Sequence, residues 1–214
     1  MNNVLKLSIA IILYASCADS TETVSVPTDF DAQKIVSAQN QLQQILVKEM
    51  VADVVDVPVG KIEEYIENKL LEKGQYTVLY SWPTGKSISV SDKYSILEYN
   101  SMGIGFIATD DVAIFEEKYG SNAGLQQRIN QMGADSNFNK EIATAEANYL
   151  SGYAQRRTVE KLQNVATAAY WEKPVNALHV FADKVSFTIT TNFGDDENLA
   201  KKNAIRLVNE ILNK

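Results

Sequence analysis

Apolar positions in this chain recur first at helical spacing and then at every second residue, and the changes of period mark its elements. From Ala32 to about Val54, Ile35, Ala38, Leu42, Ile45, Leu46 and Met50 share one side of a helical wheel, with Gln39, Gln43, Gln44 and Lys48 on the other. This predicts one long amphipathic helix. After Pro58 and Gly60, Ile62, Tyr65, Ile66 and Leu70 predict a second helix over 61–73, stopped by Gly74. The period then becomes two. Tyr76, Val78, Tyr80 and Trp82 alternate with Thr77, Leu79 and Ser81, which predicts a strand ending in a Pro83-Thr84-Gly85 turn. Short strands are expected over 86–91, 93–99 and 103–108, then a helix capped by Thr109 or Asp110.

Residues 120–167 read as mostly helical and polar, interrupted by Gly124, Gly133 and Gly152, with a last helix near 156–165. Strands follow at 176–181 and 184–193. In the second, Val185, Phe187 and Ile189 alternate with Ser186, Thr188 and Thr190, the pattern of a sheet with one covered face. Gly194 and Asp195 open a final helix that turns Ala200, Ala204, Leu207, Val208 and Ile211 inward, with Asp195, Asp196 and Glu197 at its positive end. The expected fold class is therefore α+β: a single domain, 32–214, of short antiparallel strands covered by helices. Each tryptophan, Trp82 and Trp171, shortly precedes a proline, and the helix-strands-helix order occurs twice, so a pseudo-twofold repeat is one form this fold could take.

The N-terminus changes the picture of where this domain works. One positive charge at Lys6 precedes an apolar run from Leu7 to Ala15 broken only by Ser8, the pattern of a signal peptide over 1–16. The run is about half of the roughly 18 apolar residues a membrane-spanning helix needs. The single cysteine of the 214 residues, Cys17, stands at its end. Disulfides need cysteines in pairs, so this thiol serves none within the chain. Leu13-Tyr14-Ala15-Ser16-Cys17 resembles the bacterial lipobox, with Tyr14 where an aliphatic residue is usual, and this implies acylation of Cys17 as lipid attachment site. Cleavage after Ala18, which would give a soluble periplasmic or secreted protein, is the alternative. Residues 17–31 lack apolar periodicity and read as a lipidated flexible tether of about 20 Å as a coil. Ala18 after the cysteine resembles the sorting signal for the outer membrane.

A second resemblance points the same way. The run 164–189, with Ala168, Tyr170 or Trp171, Leu178, Val180, Phe187 and Ile189, is similar to a pattern in small, uncharacterised bacterial cell-envelope lipoproteins, although Ala166-Thr167 replaces the Gly-Asp of that pattern. It implies location and fold. The formal net charge of −7 gives no basic footprint for phosphates, so no nucleic acid is expected as a partner; the membrane is expected to be reached through the lipid.

The remaining chemistry is sparse. Gly85-Lys86-Ser87 ends like a phosphate-binding loop, but Tyr80 stands where the first glycine is needed and a strand follows. No nucleophile elbow accompanies the one histidine, so no catalytic residue is assigned. Alternation places His179 opposite Leu178 and Val180, on the wetter side of its strand. One His and one Cys do not make a usual zinc set, and Asp110-Asp111 and Asp195-Asp196-Glu197 read as helix caps, so no metal and no cofactor are expected. The aromatic row of Tyr76, Tyr80 and Trp82 could line a groove, and Tyr80, Trp82, Trp171 and His179 are the candidate ligand-binding set, with core packing the competing reading for the aromatics. These observations support a non-enzymatic binding or structural module of the envelope with a protein or small-molecule ligand. A hydrolase using Asp/Glu carboxylates is the alternative, because the spacing of such a pair belongs to the fold.

Overall fold

The structure, a computed structural model, describes residues 22–67, 77–91, 93–134 and 140–214. The expected signal peptide, Cys17 and Tyr76 lie outside the described residues. The fold is α+β. Seven antiparallel strands form one sheet in the order β1-β2-β3-β7-β6-β5-β4. β1 (Glu63–Glu67), β2 (Thr77–Ser91) and β3 (Tyr94–Thr109) form one meander. β4 (Val159–Leu162), β5 (Ala168–Glu172), β6 (Ala177–Ala182) and β7 (Val185–Asn192) form another, and β3 pairs with β7 to join them.

One face of the sheet carries the main core. Alternation along β5, β6 and β7 sends Ala169, Trp171, Leu178, Val180, Val185, Phe187 and Ile189 into it, under α6 (Glu197–Leu212). Asp196 caps α6 by accepting from the Leu199 amide at 2.9 Å. The other face carries α3 (Val112–Tyr119), followed by α4 (Ala123–Ala134) and α5 (Lys140–Arg156). There Phe115 packs on Ala168, Tyr170 and Phe181 in a smaller cluster. Both faces of β5–β7 are thus covered, and the small polar residues Ser186 and Thr188 are buried against the second helical layer.

Several elements differ from expectation, each for a physical reason. The long first helix is broken into α1 (Ala32–Ser37), a 3-10 turn (Leu42–Gln44) and α2 (Lys48–Val55). Its apolar residues are nevertheless inward: Ile35, Ala38, Leu42, Ile45 and Leu46 are buried in the core and Met50 packs against it. In the described part of the expected helix 61–73, Lys61 ends a 3-10 turn and Glu63–Glu67 is strand β1, which pairs with the edge of β2, where Glu64 lies opposite Tyr80. Tertiary pairing overrides a weak helical period here. Pro83-Thr84-Gly85 is a register irregularity inside β2, with Gly85 at φ +80, and not a turn. The cap of α3 is Asp111, one residue beyond the expected pair, because Thr109 still belongs to β3 and Asp110 accepts from the Ser186 hydroxyl at 2.5 Å. Gly124, Gly133 and Gly152 lie within α4 and α5, and residues after Arg156 turn into β4 in place of a helix.

Within the described part of the expected tether, residues 22–31, several side chains pack on the fold. Val24 is buried and forms a bridge with Val165, donating to the Asn164 carbonyl at 2.8 Å and accepting from the Ala166 amide at 2.7 Å. Asp31 caps α1 through the Gln33 amide, and Val26 and Phe30 pack on the core. Among the described residues, packing on the core is present from Val24 onward.

Candidate functional site

Register assembles the site. His179 on β6 lies between Tyr170 on β5 and Thr188 on β7, and one pleat further along, Ala177 lies between Glu172 and Thr190. All six residues share the face opposite α6. The C-terminal end of α5 delivers Arg157 over this floor, and the end of α3 delivers Tyr119.

These residues form one buried polar network. Arg157, Glu172 and His179 are 8 %, 4 % and 7 % exposed. Arg157 Nε donates to Glu172 Oε2 at 3.0 Å. The rest of the guanidinium secures the α3–α4 connection: Nη2 donates to the Tyr119 carbonyl at 3.2 Å, and Nη1 donates to the Ser121 carbonyl and to Asn122 Oδ1. His179 Nε2 lies 3.1 Å from the same Glu172 Oε2, and Nδ1 lies 2.9 Å from the Thr188 hydroxyl. A carboxylate only accepts, so Nε2 carries the proton and Nδ1 accepts from Thr188. Burial pushes the imidazole below its ordinary pKa, against the opposing pull of Glu172, which agrees with a neutral ring. Tyr119 stacks on that ring with centroids 4.0 Å apart and planes 18° from parallel. Burial also lowers the pKa of Arg157, and its planar fork of donors is still matched to the acceptors around it.

A cavity of about 730 Å³ opens above this network, with Glu172, His179 and Thr188 in its floor. Phe106, Ile114, Tyr119, Leu125, Tyr153 and Val175 supply largely apolar walls. Phe106 stands at the β3 bulge with φ 55, a left-handed conformation that is strained for an aromatic residue, and remains half exposed at the cavity. Glu172 Oε1 is the one buried side-chain polar atom among the described residues without a hydrogen-bond partner. A buried acceptor left unmatched costs about 1–3 kcal/mol. An apolar cavity of this volume with a few convergent polar groups is the usual form of a small-molecule site.

No protein-family model, curated protein or solved structure matches this chain. The geometry of the site therefore stands on its own.

The residues expected to bind ligand are distributed differently. Only His179 belongs to the cavity, and it is buried beneath Tyr119 and not on a wet surface, because α3–α5 cover the face assumed to be open. Tyr80, Trp82 and Trp171 are buried in the main core. The Tyr80 hydroxyl lies 2.9 Å from both the Leu46 carbonyl and Glu64 Oε2, which share its one proton, and burial pushes its pKa up. Trp82 packs edge-on against Phe193 at 5.6 Å. Trp171 is fully buried under the start of α6, where its indole donates to Glu197 Oε1 at 3.3 Å. Arg157, Glu172, Thr188 and Tyr119 were not singled out by sequence reasoning. The available signal was the face of β6 and β7 carrying Ala177, His179, Thr188 and Thr190, whose small and polar side chains leave room above the sheet.

Among the described residues no group of three or more His, Cys, Asp or Glu could hold a metal ion, and no helix is long and apolar enough to cross a membrane. Thr188, His179 and Glu172 are strung like a nucleophile, base and orienting acid, yet Glu172 is also paired with Arg157, and burial opposes the imidazolium that general-base catalysis would form. The arrangement is suited to holding a polar group against a rigid floor more than to moving a proton.

Proposed function

We propose that this chain is a cell-envelope lipoprotein, exported, acylated at Cys17 and held at the outer membrane, whose domain binds a small apolar molecule. The observation that carries the binding reading is the largely apolar 730 Å³ cavity with Glu172, His179 and Thr188 in its floor. The lipid reading rests on the lone cysteine at the end of an apolar N-terminal run and on the resemblance of residues 13–17 to a lipobox. The two parts fit together, since a membrane-tethered domain meets apolar molecules at the bilayer surface.

The hydrolase alternative has one observation in its favour, that Glu117 on α3 borders the same cavity as Glu172. Glu172 Oε2 is engaged by Arg157 and His179, so that carboxylate is better placed to accept a fixed hydrogen bond than to act as acid and base by turns.

Binding is tested with Nile red, an uncharged apolar dye. A saturable rise in emission is expected with the wild-type protein and its loss with Leu125→Trp, which fills the cavity from α4. Equal emission from both proteins would remove the cavity from the account. Anchoring is tested by metabolic labelling with a fatty-acid analogue: label in the wild type and none in Cys17→Ser is the expected pair.

A further inference from the structure

The strands β2 and β3 run on beyond the sheet they belong to. β1 pairs with β2 only as far as Ser81, and β7 pairs with β3 only from Ser101 onward. Outward from there the two strands pair with each other alone, from Pro83 opposite Tyr99 to Ser91 opposite Tyr94, an arm about 25 Å long at roughly 3.3 Å per residue. Ile88 lies opposite Ile96, and alternation along β3 puts Tyr94 and Ile96 on the side that carries Met102 and Ile104 into the main core. Val90 follows Ile88 by the same alternation. The core stripe of the sheet thus continues past its cover: Ile88, Val90, Tyr94 and Ile96 are exposed, Tyr94 by 72 % and Val90 by 63 %. Ser87, Ser89 and Ser95 occupy the opposite side, with Leu97 across from Ser87. An apolar side backed by serines is the pattern of a sheet covered on one face. A two-stranded ribbon is at best marginally stable in water by itself, so a cover has something to stabilise.

Three covers ask different things of the arm. The chain's own N-terminal segment is at the wrong end, because Val24 bridges to Val165, shortly before β5 begins, and that end of the sheet is opposite to the arm. A bilayer would leave the free backbone edges of both strands unmatched in hydrocarbon, and an anionic lipid surface repels a chain of formal net charge −7. A second copy of this chain meets neither obstacle. Residues 83–99 carry Lys86, Asp92, Lys93 and Glu98, which sum to zero, so the whole excess of negative charge lies outside them. Crossed arms bring together the neutral parts of two acidic molecules and hold the bodies apart by more than the screening length of about 8 Å. The backbone edges stay in water. We propose that the arm is a dimerisation surface: two copies cross arms about a twofold axis, and Ile88, Val90, Tyr94 and Ile96 of each pack on the same four of the other, with the serines facing water. The proposal is independent of the ligand and lipid readings above.

Sedimentation equilibrium of the purified full chain tests this, with Ile96→Lys on the apolar side and Ser89→Lys on the serine side for comparison. The wild type is expected to pass from the mass of one chain to that of two over about 1–100 µM, the range of a small interface. Ile96→Lys should raise the dissociation constant at least about tenfold, because it buries an unpaired ammonium. Ser89→Lys adds the same charge to the side in water and should leave the constant within about twofold. The wild-type mass carries the test even if a variant does not fold. A wild type that keeps the mass of one chain at about 100 µM would overturn the proposal. A dimer that Ile96→Lys leaves intact would also overturn it, by placing the contact elsewhere on the chain. A single-chain mass together with sedimentation on phosphatidylcholine vesicles that Ile96→Lys abolishes would overturn it in favour of a lipid surface.

Discussion

At the scale of single residues, the energetics of this protein turn on a buried ion pair. Arg157 and Glu172 are both almost fully buried, and the guanidinium ties the end of α3, the α3–α4 connection and β5 together. Removing one partner strands the other charge, so Arg157→Leu should lower unfolding stability by about 3–5 kcal/mol in a denaturant titration. The double substitution Arg157→Met with Glu172→Leu should recover much of that loss, since it removes both desolvated charges. His179 gives a pH signature of definite sign. Its pKa is lowered in the folded protein mainly by burial, so below about 6.5 the unfolded chain binds a proton that the folded one does not. Stability should be complete above that pH and fall as pH drops from it towards the lowered folded value. In His179→Gln this part of the slope should vanish, and an unchanged slope would mean that the ring is not buried neutral.

At the scale of elements, a segment without helical or strand periodicity is nevertheless part of the fold. Val24 bridges to Val165 through two backbone hydrogen bonds, and Val26 and Phe30 pack on the core. Deleting residues 22–31 removes that apolar cover and exposes the surface around Ile35. The thermal midpoint should fall by at least about 5 °C, on the order of 2 kcal/mol or more for a domain of this size. A midpoint unchanged by the deletion would show that the segment is a free tether after all. On the other side of the core, Phe187 is buried between the sheet and α6, and Phe187→Ala should cost about 3–5 kcal/mol.

For the whole molecule, the pairing of β3 with β7 decides whether the two meanders are one cooperative unit. Trp82 lies in the first meander and Trp171 in the second, and both belong to one contiguous core. Each can therefore report separately. Denaturant unfolding followed by fluorescence in Trp82→Phe and in Trp171→Phe should give transitions whose midpoints coincide once each variant's own stability, measured by circular dichroism, is taken into account. Fluorescence that separates from circular dichroism in either variant would mean that the meanders unfold independently.

Local pattern was sufficient where burial has one side and a fixed period. The alternation of β7, the inward stripe of α6 with its acidic start, and the inward residues of the broken first helix were all legible in the sequence, because each reflects a single apolar face meeting a single core. What pattern could not convey was a second cover on the same sheet. Ser186, Thr188 and Thr190 look the same in sequence whether they face water or a helical layer, and only the packing of α3–α5 turned their side into a cavity floor. The same holds for the charges. Glu172 and Arg157 lie on different elements, and nothing in their local surroundings distinguishes a solvated carboxylate from one paired at 3.0 Å with an oxygen left over. The sequence by itself determined the fold class and the inward faces, which depend on residues near one another in the chain. The tertiary structure alone decided the site, which depends on strands and helices brought into register from distant parts of it.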